Sequence, residues 1–293
     1  LYLESKKEEI EKYIKELKVQ KPKKQIRKAL NNNNIIVVYY LLLKFDGIPE
    51  NIFKNKTNIK RVALPPSIHS IGSYAFSKCS SLEEISISSS TTKIGKEAFS
   101  ECSSLKQITI PSFLTSIGCK AFFKCKSLKQ ITIPPSVTTI ENCAFDKCSS
   151  LTQITIPSSV TSFGNGVFCE CESLIEVSFP SSFTSIGGKT FMECSSLSKI
   201  SFSPFLTSFD NYVFQGCSSL TQIIIPSSVT VIGKGAFERC FHITQIIIPS
   251  SVESIGDYGF ENCRSLEKIT FIAPSSLQSI GDFGFRGCSS VKQ

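Results

Sequence analysis

The sequence has no tryptophan, one methionine and two histidines. The two imidazoles, His69 and His242, stand in distant parts of the chain and cannot meet on one metal, and no Cys-x-x-Cys pair occurs. That residue supply argues against a metalloenzyme, and no cofactor or metal is expected. A membrane-crossing run is missing too. The longest apolar stretch, residues 35–43, has nine residues, where a spanning helix needs about 20. Acidic residues are fewer than basic ones, 24 against 32, which leaves a net charge of +8. The imbalance is local, because residues 1–58 hold 13 of the basic residues and only 7 of the acidic ones. Lys21, Lys23, Lys24, Arg27 and Lys28 are dense there, but no aromatic interleaves with them as a single-strand nucleic-acid binder requires. They read as a solvated face, and nucleic acid is not an expected partner.

What the sequence has in abundance is order at long range. Cys79, Cys102, Cys125, Cys148, Cys171, Cys194, Cys217, Cys240 and Cys263 recur every 23 residues, and Cys288 follows at 25. A phenylalanine stands three residues ahead of each, from Phe76 to Phe285. A leucine ladder runs with them from Leu82 to Leu266, with isoleucine at Ile59 and Ile243. A fixed period of this length is the signature of a repeat solenoid, in which each unit buries its apolar face only by stacking on the next. About ten units are read from residue 59 onward. In residues 151–173, Leu151-x-x-Ile154-x-Ile156 alternates as a half-buried strand, and Pro157 ends it. Val160 and Phe163 form a second inward-facing piece, and Gly164 suits a tight turn. Val167, Phe168 and Cys171 fall at helical spacing and predict a short helical turn on the back. Stacking at the usual strand spacing, about 4.8 Å, gives a parallel sheet of about ten strands. Two extra residues between Phe271 and Ser275 predict a bulge. Ser88 and Thr91, where other units carry Pro and Val, predict looser packing in the second unit.

These units resemble the BspA-type leucine-rich repeat, whose pattern is close to L-x-x-I-x-I-P-x-x-V-x-x-I-G-x-x-A-F-x-x-C-x-x. Residues 128–150 follow it nearly throughout, with Glu141 in place of the usual glycine, and residues 220–242 follow it as well. The resemblance implies a right-handed curved solenoid with its sheet on the concave side. It also implies a binding role without catalytic residues, often at the surface of bacteria or of unicellular eukaryotic parasites.

Residues 1–58 lie outside the pattern. Ile10, Tyr13, Ile14 and Leu17 form one stripe of an amphipathic helix, and Pro22 opens a second. Residues 35–45 are a buried helix or a strand, which periodicity cannot separate. Two domains are therefore expected: a basic α-helical cap over 1–58 and the solenoid over 59–293. A separate helical docking module is the other reading of 1–58. The chain begins without Met and stops inside a repeat. It reads as a fragment with an uncapped last repeat open to end-to-end self-association.

Of the chemical motifs, Gly187-Gly188-Lys189-Thr190 lacks the upstream glycine of a phosphate loop, since position 183 is Phe. Ten of the 13 cysteines are ladder residues that behave as small buried hydrophobes, with stacking geometry unsuited to disulfides. Cys119, Cys143 and Cys169 lie off the ladder and are the candidates for exposed thiols. Asn55-Lys56-Thr57 is a glycosylation acceptor if the chain is secreted. The outward strand slots form a column of Gln, Glu, Lys and Arg beside a column of Ser and Thr that opens with Ala63. Ile224 and Ile247 interrupt the second column. An apolar interruption of a polar face marks an interaction site. A protein partner is therefore expected on the concave face at Gln222, Ile224, Gln245 and Ile247, flanked by Lys199 and Lys268. Two functional readings follow. One is a surface adhesin or antigen, placed at the cell surface by the resemblance. The other is a cytoplasmic adaptor whose basic helices dock a second partner.

Overall fold

Two parallel ladders of very short strands wind along one axis. The computed structural model describes Leu42 and residues 45–292. The first ladder carries the Leu-x-x-Ile-x-Ile segments, beginning with Arg61–Ala63, Glu84–Ser86 and Gln107–Ile108. It continues through Gln153–Thr155, Glu176–Ser178 and Lys199–Ser201, and ends with Gln245–Ile248 paired to Lys268–Phe271. The second ladder carries the Ser-Ile-Gly segments, from Gly47–Ile48 to Ser162–Phe163 and again from Ser208–Phe209 to Ser279–Ile280. Each strand pairs with the same slot of the next unit, so the 23-residue period becomes the sheet register. Winding the chain this way gives about ten turns.

The first ladder is not the continuous ten-strand sheet that the repeat predicts. Its strands fall into three groups, with breaks around Gln130 and Gln222. At the breaks the linking amide bonds stretch to 3.5 Å (Lys129 to Lys106) and 3.4 Å (Thr244 to Thr221). Burial still alternates there, with Gln222 and Ile224 exposed and Ile223 and Ile225 buried. The strand pattern thus survives where its hydrogen bonding lapses.

The back of each turn corrects a second expectation. Among the described residues the repeats contain no helix. In residues 72–79 the amides of Ala75, Ser77 and Cys79 donate to the carbonyls three residues back, at 3.1 to 3.2 Å. The alternate amides of Tyr74, Phe76 and Lys78 donate forward to Lys96, Ala98 and Ser100 of the next unit, at 2.7 to 2.8 Å. A helix would aim every amide along its own axis. Here every second one points along the solenoid axis, which requires backbone of alternating hand. Tyr74 and Lys78 accordingly have φ of 57° and 63°, and the same slots are left-handed in most other units. An L-residue in that region is strained by roughly 1–2 kcal/mol, a cost offset by the inter-unit bonds that close the back of the stack. The Phe-x-x-Cys spacing looked helical because a three-back turn and a helical turn bring the same side chains together.

The expected helical cap also fails from residue 45 onward. Gly47–Ile48 is a strand paired with Ser70–Ile71, and Phe53 is buried against Phe76. The stack therefore starts before residue 59. The helices expected earlier in the segment lie outside the described residues. Among the described residues no helix is long and apolar enough to cross a membrane.

The interior is a set of columns. Eleven phenylalanines, from Phe53 to Phe285, stack face to face with ring centroids 4.7 to 5.8 Å apart. The ladder cysteines stand beside them, nine buried and Cys288 partly so, and all are free thiols. Each thiol also donates to a phenylalanine carbonyl of an earlier unit, 26 residues back for the nine buried ones, as Cys102 does to Phe76 at 3.1 Å, and 28 back for Cys288. The same Phe76 carbonyl accepts the Cys79 amide. Cysteine suits this slot as a small apolar body with a weak donor, a reason the spacing alone did not give.

The second unit is not loosened. Thr91 is fully buried and its hydroxyl donates to the Ile68 carbonyl at 2.8 Å, while Ser88 donates to Pro66 at 3.1 Å. Serines of the turn slot do the same elsewhere, as Ser136 does to Leu114 at 2.7 Å. These residues are inter-unit donors as well as turn formers. Glu141, the exception to the glycine slot, accepts the amide of Cys119 at 2.8 Å. The bulge falls where the two extra residues predict it. Ile248 still faces Phe271 at a spacing of 23, whereas Ser254 faces Ser279 at 25.

Candidate functional site

The outward face of the first ladder is set by strand alternation, which turns Ile and Val inward and leaves the residues between them in solvent. Gln245 is the register partner of Lys268, and Ile247 of Thr270. Lys199 is the register partner of Glu176. Ile224 is 85% exposed and Ile247 is 53% exposed, in a column whose other residues are Ser and Thr apart from Ala63. Gln222, Gln245, Lys199 and Lys268 are all exposed. Among the described residues neither Lys199 nor Lys268 has an acidic partner within ion-pair distance. The six residues therefore share one face, although the strand bonding between them is interrupted at Gln222. Earlier on that face the surface is hollowed. A groove of about 560 Å³ runs over Glu84, Gln107, Thr109, Gln130 and Thr132, and one of about 470 Å³ follows over Gln153 and Thr155. Both are lined by outward Glu, Gln, Ser and Thr side chains together with the isoleucines between them and a proline.

Sequence reasoning missed several exposed apolar residues. Val231, on the second ladder, is 40% exposed. Phe113 and Phe205 are 64% and 62% exposed in the slot that holds serine in most units, and that substitution was the available signal.

A second group gathers on the turn side. Asp146 and Cys169 occupy the same slot of neighbouring units, and Glu170 follows Cys169. One ligand atom from each lies within 4.8 Å of the others. Burial pushes the Asp146 carboxyl up to about 6, against the pull of Lys147. Burial first, and Asp146 second, push the Cys169 thiol up to about 12. Cys169 is thus a buried thiol and not the exposed one expected, because this column is covered above and below by its stacked neighbours. Cys119 and Cys143 are partly exposed.

Parallel ladders of 23-residue units, with leucine, isoleucine, phenylalanine and cysteine columns inside, define a leucine-rich repeat protein. The chain belongs to the BspA-type leucine-rich repeat family, whose repeat region matches in six copies over residues 46–174, 138–267 and 207–293. It is similar to a leucine rich cell surface protein from Faecalibacterium prausnitzii, at 30% identity over 85% of this chain and 76% of that one, with a TM-score of 0.58. The leucine-rich repeat protein of T. pallidum is 31% identical over 60% of this chain and 79% of that one, with a TM-score of 0.52. One from Bacteroides ovatus is 30% identical over 84% and 81%, with a TM-score of 0.43. No curated relative matches the chain. Membership of this family makes it a protein-interaction scaffold in the broad sense.

Proposed function

We propose that the chain is a non-enzymatic protein-binding scaffold acting as a surface adhesin or antigen, and that the partner seats on the first-ladder face around Ile224 and Ile247. The observation that carries this is their exposure on an otherwise polar face. Two apolar side chains held out by a rigid sheet lose little entropy on contact, which makes them suitable anchors. Lys199 and Lys268 flank them, so the partner offers an apolar side chain with carboxylates to either side. The similarity to the F. prausnitzii cell surface protein supports the location.

The test is affinity for a partner captured by the wild-type chain. Replacing Ile224 and Ile247 together by Thr restores the residue type of the column and leaves the core untouched. We expect affinity to fall at least tenfold with the melting temperature unchanged, about 1.4 kcal/mol of binding. Unchanged affinity in the double variant would sink this reading. One observation favours a cytoplasmic adaptor instead. All 13 cysteines are free, as expected where thiols are kept reduced.

A further inference from the structure

Asp146 is 91% buried by its 9% exposure, and its Oδ1 accepts no hydrogen bond. A buried carboxylate oxygen without a partner is costly, and such groups in folded proteins have a reason to exist. This one belongs to a side chain that reaches the Cys169 thiol and the Glu170 carboxylate, all three ligand atoms within 4.8 Å. Cys143 lies near Cys169 but outside this group. Gly166, with φ of +61°, occupies the slot that holds Lys, Glu or Tyr in several other units. A Cβ there would lie 3.3 Å from the Cys143 sulfur and 3.8 Å from the Cys169 Cβ. A side chain at this position would crowd the Cys143 sulfur. The surrounding charges are Lys147, which pairs with Glu170 at 3.0 Å, and Lys120 and Lys189 close by.

We propose that Asp146, Cys169 and Glu170, with solvent completing the shell, form a binding site for a divalent cation of the zinc class. The donor set selects the ion. Calcium and magnesium take all-oxygen shells, whereas mixed thiolate and carboxylate donors suit zinc and its congeners. On binding, the Cys169 thiol gives its proton to solvent and the thiolate enters the coordination shell. Lys147 gives up its contact with Glu170 and turns outward, where its side chain is already 36% exposed. The ion would satisfy Asp146 Oδ1 and tie two adjacent units together on their turn side. The site was invisible in the sequence because Asp146 and Cys169 are 23 residues apart and become neighbours only through the register.

The experiment titrates the full chain, reduced and anaerobic, with Cd²⁺ as the probe, following the thiolate-to-metal charge-transfer band. Zn²⁺ competition and thermal melting run in parallel. Serine already fills the same column, buried, at Ser77 and Ser100. Asp146→Ser and Cys169→Ser are therefore compatible with the fold, which circular dichroism checks. We expect one equivalent of Cd²⁺ in the wild type, displaced by Zn²⁺, with the band lost in Cys169→Ser. Affinity should fall at least tenfold in Asp146→Ser and stay the same in Cys119→Ser. Zn²⁺ should raise the wild-type melting temperature and leave that of Cys169→Ser unmoved. Absence of the band, or a band of equal strength in Cys169→Ser, would overturn the proposal.

Discussion

Replacing Phe145 by alanine is expected to remove about 3–5 kcal/mol of stability, the range for a fully buried phenylalanine whose cavity cannot collapse. Collapse is blocked because Phe145 sits inside a rigid stack, 5.3 Å from Phe122 on one side and 5.6 Å from Phe168 on the other. Both contacts are lost together, and stacked aromatic pairs contribute about 0.5–1.5 kcal/mol each beyond area burial. Solenoid stability is a sum of unit and nearest-neighbour interface terms. A mid-stack lesion therefore weakens two interfaces and should split thermal unfolding into two phases. Phe285 has one stacking partner, Phe260 at 5.1 Å, and is only partly buried. Phe285→Ala is expected to cost about half as much and to leave a single transition. Calorimetry of the two variants checks this, and equal losses at both positions would contradict a continuous ring stack.

Arg286→Ala is expected to cost about 2–3 kcal/mol, localised to the last units. Glu261 is nearly buried, its side chain 6% exposed, and Arg286 reaches it through both Nε, at 2.7 Å, and Nη2. Removing one partner of a buried pair strands the other charge, which costs about 3–5 kcal/mol when both are buried. The arginine is 55% exposed, so the lower figure applies here. The slot of Glu261 is held by buried serines at Ser77 and Ser100. The double replacement Glu261→Ser with Arg286→Ser should therefore recover most of the loss. Hydrogen exchange of the amides after residue 260 measures both effects. A single variant as stable as the wild type would show that water reaches Glu261 and the pair is ornamental.

The units, their period and their inward residues were legible because stacking forces the same side chain to the same place in every turn. Leu151, Ile154, Phe168 and Cys171 could be placed inside from spacing alone, and they are buried. The back of the turn was not legible. The contact between Phe168 and Cys171 is the same in a helix and in a three-back turn. Only the forward amide bonds, such as Phe168 to Thr190, decide between them. The turn before residue 59 was missed because Lys56 stands where the cysteine ladder would continue, although Phe53 extends the phenylalanine column and Gly47–Ile48 the second ladder. Ile224 and Ile247 could be read as exposed because alternation has only two faces. The grouping of Asp146 with Cys169 and Glu170 could not, since the sequence reading compared slots for what repeats and those residues are what does not.

The central claim is that the units form one sealed stack in which the cysteine ladder is a reduced, hydrogen-bonded column. Burial pushes the ladder thiols far from their reactive form, Cys79 up to about 12 and Cys125 well above the usual thiol range, and thiol labels react with thiolate. The direct measurement is labelling without reductant, read site by site by mass spectrometry, on the native and the denatured chain. The account predicts that Cys119 and Cys143 label first in the native protein, that the nine buried ladder thiols stay unlabelled, and that all 13 label on unfolding. Rapid native labelling along the ladder, or thiols that stay silent after unfolding because they are disulfide-bonded, would contradict it.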